Sequence, residues 1–199
     1  AETARDGTWE PGPRDAIFDA MTNALGKLPI VAEDLGVITP EVEALRDRHN
    51  IPGMHVLQFD VCDPGFRLSD VKENSVCYTG THDNDTTIGW FHGSPDDMRG
   101  TTKIALDQEA ALNVTGGTPE TIHTALIRAA FSTDARIAIA PLQDYLGLGS
   151  EARLNTPGTP GGNWRWRVQD TQLSPKLCDN IASMVNSSKR GLSAHEPIK

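Results

Sequence analysis

Three apolar segments of this chain end in polar pairs: "LPIVAED" in Glu33 and Asp34, "SVCYTGTHD" in His82 and Asp83, and "RIAIAPLQD" in Gln143 and Asp144. Carboxylates delivered in this way, with aromatic side chains elsewhere in the chain, suit sugar chemistry. Glycosyl transfer needs a proton donor at the leaving oxygen and negative charge beside an oxocarbenium-like centre, and carboxylates supply both. Trp164 and Trp166 of "NWRWR" fit stacking on sugar faces about as well as a packed loop with cation–π contacts. Adjacent residues on a strand point to opposite faces, so Glu33 and Asp34 cannot serve one site together while the backbone stays extended. One acid works and the other supports it. A single such acid more often caps a helix or bonds a loop, and it is the repetition at three strand ends that favours function.

Other chemistries fit less well. "DND" at 83–85 starts like a calcium loop, but Ile88 stands where the turn glycine belongs and no glutamate closes the loop. His82-Asp83 lacks a second His/Asp cluster of metal-ligand spacing, and no GxGxxG or GxxxxGK[ST] cradle is present, so no metal or cofactor is expected. Cys62, Cys77 and Cys178 read as packing thiols, and His49, His55, His92, His123 and His195 as surface or packing histidines.

The elements that must position these groups alternate. Ile17, Phe18, Met21 and Leu25 predict a helix over 13–25, with Pro13 in its first turn and Gly26 at its end. "LPIVAED" reads as a buried parallel strand. Thr39 and Pro40 then open a helix through His49, and "MHVLQF" follows as a second strand. "SVCYTGTHDND" and "RIAIAPL" complete four strand candidates. Ser94-Pro95 and Thr118-Pro119 mark two more helix starts, and a last helix begins near Pro175 with Leu177, Ile181, Met184 and Val185. Strands separated by helices imply a parallel α/β sheet, doubly wound or closed as a (β/α)8 barrel, with functional groups at the C-terminal strand ends.

The 199 residues suffice for one or two globular domains. Their 18 basic and 27 acidic side chains give a net charge of −9, which repels a phosphate backbone or an anionic membrane. No apolar run reaches the roughly 20 residues of a membrane helix and no signal-peptide pattern opens the chain, so neither nucleic acid nor a membrane is expected as partner.

"IVAEDLGVITPEVEALRDRHNIPGMHVLQF", "SVCYTGTHDNDTTIGWF" and "APLQDYLGLGSEARLNTPGTPGGNWRWR" closely resemble the C-terminal half of glycoside hydrolase family 77, the amylomaltases or disproportionating enzymes, over roughly residues 8–190. The resemblance implies strands 5–8 of a (β/α)8 TIM barrel, with residues 1–199 as a partial catalytic domain whose upstream half is missing. It also implies transfer of α-1,4-glucan segments between maltooligosaccharides, starch or glycogen chains by retaining double displacement. Glu33 then corresponds to the acid/base, Asp83 to the acid that stabilises the transition state, and His82 and Asn155 to substrate contacts. Asp34 matches no catalytic role and is read as loop support. The family's nucleophilic aspartate sits in an upstream segment that has no counterpart here, so the fragment alone is expected to be inactive. Two alternatives stay open: an α-glucan hydrolase on a similar barrel, and a noncatalytic glucan-binding fragment. The resemblance places the protein in a cytoplasm, or in a plastid if its source is a plant or alga.

Overall fold

A computed structural model describes residues 6–8, 10–27, 29–94, 97–188 and 190. They form two compact units, one ending at Met54 and one beginning at His55.

In the first unit, α1 spans Asp15–Leu25 and α2 spans Pro40–Arg48. Pro13 accepts the N–H of Ala16 at the entry to α1, and Gly26, at φ 76°, donates its own N–H to Thr22 at the exit. Phe18 and Met21 are half-buried on α1, while Ile17 and Leu25 of the same stripe remain exposed. Pro40 opens α2 as expected, and Glu41 and Glu43 in its first turn and Arg46 and Arg48 in its last complement the helix dipole. Thr39 flanks the helix without a side-chain cap, and its hydroxyl bonds the Glu41 carboxylate, which holds that acid below its ordinary range.

The expected strand at 28–34 is not a strand; Leu28 lies outside the described residues and 29–33 are irregular. The ladder is interrupted chemically. Ala32 donates to the carbonyl of Pro52 at 2.8 Å, but Pro52 has no N–H to return, and the next N–H on the same edge, that of Met54, goes to the Asp34 side chain at 2.8 Å.

Three of the expected strands form a sheet in the order β1 (Gly53–Val56), β2 (Ser75–Tyr78), β3 (Ile137–Ile139). β1 spans the boundary of the two units. β2 and β3 are parallel, with Val76 opposite Ile137 and Tyr78 opposite Ile139. The run expected to continue β1 through Phe59 turns instead into α3 (Leu57–Asp60), where the Gln58 N–H reaches the Thr79 carbonyl past the end of β2. Helices α4 (Thr87–His92), α5 (Gly100–Thr115), α6 (Ile122–Ser132), α7 (Leu142–Tyr145) and α8 (Pro175–Ser187) complete the second unit.

The core of the second unit gathers Leu57, Cys77, Phe91, Ile122, Leu126 and Ile127, all nearly excluded from solvent. Each large aliphatic side chain buried there stabilises the fold by about 1.5–3 kcal/mol. α6 turns most of its apolar residues into this core, and Met184 and Val185 of α8 pack against it. Ser174 caps α8, accepting the N–H of Leu177, so the last helix begins where Pro175 predicts. α5 starts at Gly100, later than Ser94 suggested, after Asp97 captures the Arg99 N–H at 2.9 Å; Pro95 lies outside the described residues. Arg190 closes the far end of α6, donating to the carbonyls of Phe131 and Ala135 at 2.7 Å and to Thr133. Burial pushes the thiols of Cys62 and Cys77 up to about 12, in keeping with packing roles, whereas Cys178 is exposed.

Asp144, one of the acids at a strand end, is 1% exposed and ties elements together. It accepts from the Thr79 hydroxyl at 2.6 Å, the Thr87 N–H at 2.7 Å and the Thr87 hydroxyl at 2.8 Å. Burial pushes its carboxyl upward and these donors oppose that push. Asp144→Ala strands the donors, at a cost of about 3 kcal/mol. Thermal unfolding of the full-length protein is the check: its midpoint should fall clearly below wild type, while the exposed-site control Asp134→Ala should not shift it.

Candidate active site

The predicted site residues fall in both units. In the first, Glu33 is exposed, and the chain turns at Gly36, whose φ of 87° is a left-handed value that glycine adopts without strain. Its neighbour Asp34 is held inward. Asp34 pairs with the buried Arg46 and accepts the Met54 N–H, while Arg46 also donates to Asp47 at 2.7 and 2.8 Å. Gly53 is part of the same packing, since a Cβ there would lie 2.8 Å from Arg46 Nη1. One acid therefore faces solvent and the other fastens the segment that carries it, although that segment is not the strand on which alternation was expected.

In the second unit, the loop after β2 carries His82 and Asp83. Asn84 shapes it by accepting both the N–H and the hydroxyl of Thr81, three residues back, at 2.9 and 2.8 Å. Behind the loop, the buried Gln58 donates to the Asp85 carbonyl at 3.0 Å, and the Ser150 hydroxyl donates to the Asp85 carboxylate at 2.6 Å. The side chains of His82 and Asp83 stay 58% and 46% exposed, with His82 Nε2 3.3 Å from Asp83 Oδ1. Asn155 reaches the same oxygen, its Nδ2 donating to Asp83 Oδ1 at 2.6 Å. Among the described residues no hydrogen bond is made to Asp83 Oδ2.

Trp164 lies over His82, the ring centres 5.3 Å apart and the planes inclined at 37°, and it is 53% exposed. Its backbone N–H is anchored to the Leu154 carbonyl at 2.6 Å, and Asn163 accepts the Thr156 N–H at 3.0 Å, which folds the Gly/Pro-rich loop back on itself. In "NWRWR" Arg167 donates to the carbonyls of Trp164 and Trp166, at 2.9 and 2.8 Å; among the described residues the cation–π contact is a separate one, Arg99 over Trp90. Asp83 borders an open cleft of about 600 Å³ whose walls include Phe59, Asn84, Met98, Arg99 and Arg153.

His82, Asp83 and Asn155 are thus brought together, 72 residues of chain separating the acid from the amide. Sequence reasoning missed Arg153, whose guanidinium donates to the Asp83 carbonyl at 2.7 Å and the Asn155 carbonyl at 2.8 Å. The available signal was its spacing, since Arg153 stands two residues before Asn155 in "RLN", the separation that puts side chains on one face wherever a backbone is extended. Among the described residues no group of three or more His, Cys, Asp or Glu side chains could hold a metal, and no helix is long and apolar enough to cross a membrane.

A half-exposed carboxylate held by an amide, beside a histidine stacked with a half-exposed tryptophan and just past a parallel strand, is an arrangement able to accept hydroxyl groups next to an aromatic face on an α/β scaffold. The fold is similar to that of the amylomaltase from Streptococcus agalactiae solved in complex with acarbose, with a TM-score of 0.81 and 31% identity over 94% of this chain and 37% of that one. Residues 1–173 match the family model described as 4-alpha-glucanotransferase, and the chain belongs to glycoside hydrolase family 77. Among curated relatives, the 4-alpha-glucanotransferase of Synechocystis sp. is 50% identical over 187 residues, 91% of this chain and 35% of the relative. The Thermus thermophilus enzyme of the same name is 42% identical over 195 residues, 94% of this chain and 38% of the relative. The chain therefore spans little more than a third of the length of these three proteins.

Proposed function

We propose that the protein carrying these residues is a 4-alpha-glucanotransferase that moves α-1,4-glucan segments between maltooligosaccharides or starch- or glycogen-derived chains. The observation that carries this reading is the Asp83–Asn155 pair beside the His82–Trp164 stack. It offers a charged acceptor for sugar hydroxyls next to an aromatic face. Family membership and the relatives' names support the reaction class.

On this reading residues 1–199 are part of one catalytic (β/α)8 barrel. β1, β2 and β3 correspond to strands 6–8, and the segment bearing Glu33 takes the place of strand 5. A nucleophile outside these residues attacks the anomeric carbon while Glu33 protonates the departing glycosidic oxygen. Asp83 holds sugar hydroxyls as positive charge develops on the ring, with His82 and Asn155 as further substrate contacts. Glu33, now a carboxylate, deprotonates the incoming 4-hydroxyl, and the glycosyl group passes to the new chain. The compartment is a cytoplasm or a plastid, as among the relatives named chloroplastic/amyloplastic.

Maltotriose separates the readings. The full-length protein should yield glucose together with oligomers longer than the substrate. Products that only shorten identify a hydrolase, and unchanged maltotriose identifies a binding protein.

A further inference from the structure

We infer that Arg153 is a positioning residue that sets the distance between the two loops carrying Asp83 and Asn155. One guanidinium spans both main chains, Nη2 donating to the Asp83 carbonyl at 2.7 Å and Nε to the Asn155 carbonyl at 2.8 Å. Between the same two residues runs the bond from Asn155 Nδ2 to Asp83 Oδ1 at 2.6 Å. The planar fork has fixed donor directions, so the backbone beneath the carboxylate and the backbone beneath the amide are held in one plane of contact. The inference rests on the reading of Asp83 as the acid that stabilises the transition state.

Arg153 is suited to this task because its removal need not unfold the neighbourhood. Ser150 still joins Asp85 across the loops at 2.6 Å, Trp164 still bonds Leu154 at 2.6 Å, and Asn163 still closes the loop at Thr156. What is lost is the register of the Asp83 carboxylate relative to Asn155. A lysine does not reproduce the fork, since its three donors radiate from one freely rotating nitrogen and fix no plane or spacing between two carbonyls.

The test is steady-state disproportionation of maltotriose by the full-length enzyme carrying Arg153→Ala, Arg153→Lys, Asp83→Asn, or Asp83→Asn with Arg153→Ala. Misplacing a reacting group by about 1 Å can cost about 10²-fold in rate. Both Arg153 variants should therefore lose about 10²-fold in kcat, with KM within about threefold of wild type and an unshifted thermal midpoint. The double variant should be no slower than Asp83→Asn alone, because Arg153 acts through Asp83. The inference is overturned if the Arg153 variants keep their kcat, if Lys substitutes fully for Arg, if the loss appears in KM or in the midpoint, or if the double variant shows the product of the single effects. Near-normal turnover by Asp83→Asn would instead sink the reading of Asp83 itself, and the inference with it.

Discussion

Asp83→Asn in the full-length enzyme is expected to lower kcat for maltotriose by about 10³-fold while KM moves little, the scale seen when an electrostatic stabiliser of a transition state is removed. The asparagine keeps the size of the side chain and can still accept the Asn155 amide through its oxygen, so the loop geometry of Thr81–Asn84 and the Asn155 contact should survive. What disappears is the negative charge. An interaction that strengthens as the sugar ring gains positive charge acts on the rate of the chemical step rather than on ground-state binding. His82→Ala should be milder in kcat, since it removes a ring contact and a hydrogen-bonding group and leaves the carboxylate in place. Trp164 would lose its partner in that variant, the His82 ring now 5.3 Å from its own, so part of the effect should appear in KM. If His82→Ala damages turnover more than Asp83→Asn at equal stability, the role given to Asp83 is wrong.

Glu33→Gln should be more severe, about 10⁴-fold in kcat, with thermal stability and glucan binding close to wild type. The side chain is exposed, and the segment that carries it is fastened by its neighbour: Asp34 holds Arg46 and the Met54 N–H. Exchanging an exposed carboxyl for an amide of the same size should therefore leave the fold alone. A drop in stability comparable to the drop in rate would make Glu33 a structural residue.

Much of the fold was legible because its signals are local. The stripe at Ile17, Phe18, Met21 and Leu25, the Thr39-Pro40 and Ser174-Pro175 starts and the apolar runs of β1, β2 and β3 each declare an element within a few residues. The segment at 28–34 has the composition of a strand but not its bonding, because Pro52 withholds an N–H and Asp34 takes another. α4 was not anticipated: "TIGWFH" is too short for a helical period to show, and its Thr86 cap, which accepts the Gly89 N–H, sits inside a polar run that reads as loop.

The site divides in the same way. Strand alternation predicts opposite facings for Glu33 and Asp34; the segment is irregular, and their unlike settings come instead from the bonds of Asp34 to Arg46 and to the Met54 N–H. That Asp83 meets Asn155 was not legible, since nothing local links residues so distant in sequence, and only the family resemblance proposed both. Asp144 follows β3 as Asp83 follows β2, yet it lies in α7 and is buried against Thr79 and Thr87, partners 57 and 65 residues away that its own motif does not declare.

The most direct test of the central claim, retaining glycosyl transfer with Glu33 as acid/base, is to trap the intermediate. Full-length Glu33→Gln is incubated with a maltosyl fluoride, whose leaving group departs without acid assistance, and the protein is mass-mapped. Transfer from the intermediate needs the base that the variant lacks, so a glycosyl adduct should accumulate, bound to a carboxylate outside residues 1–199. An adduct on Asp83, or donor consumption without any adduct and with inversion at the anomeric carbon, would contradict the account.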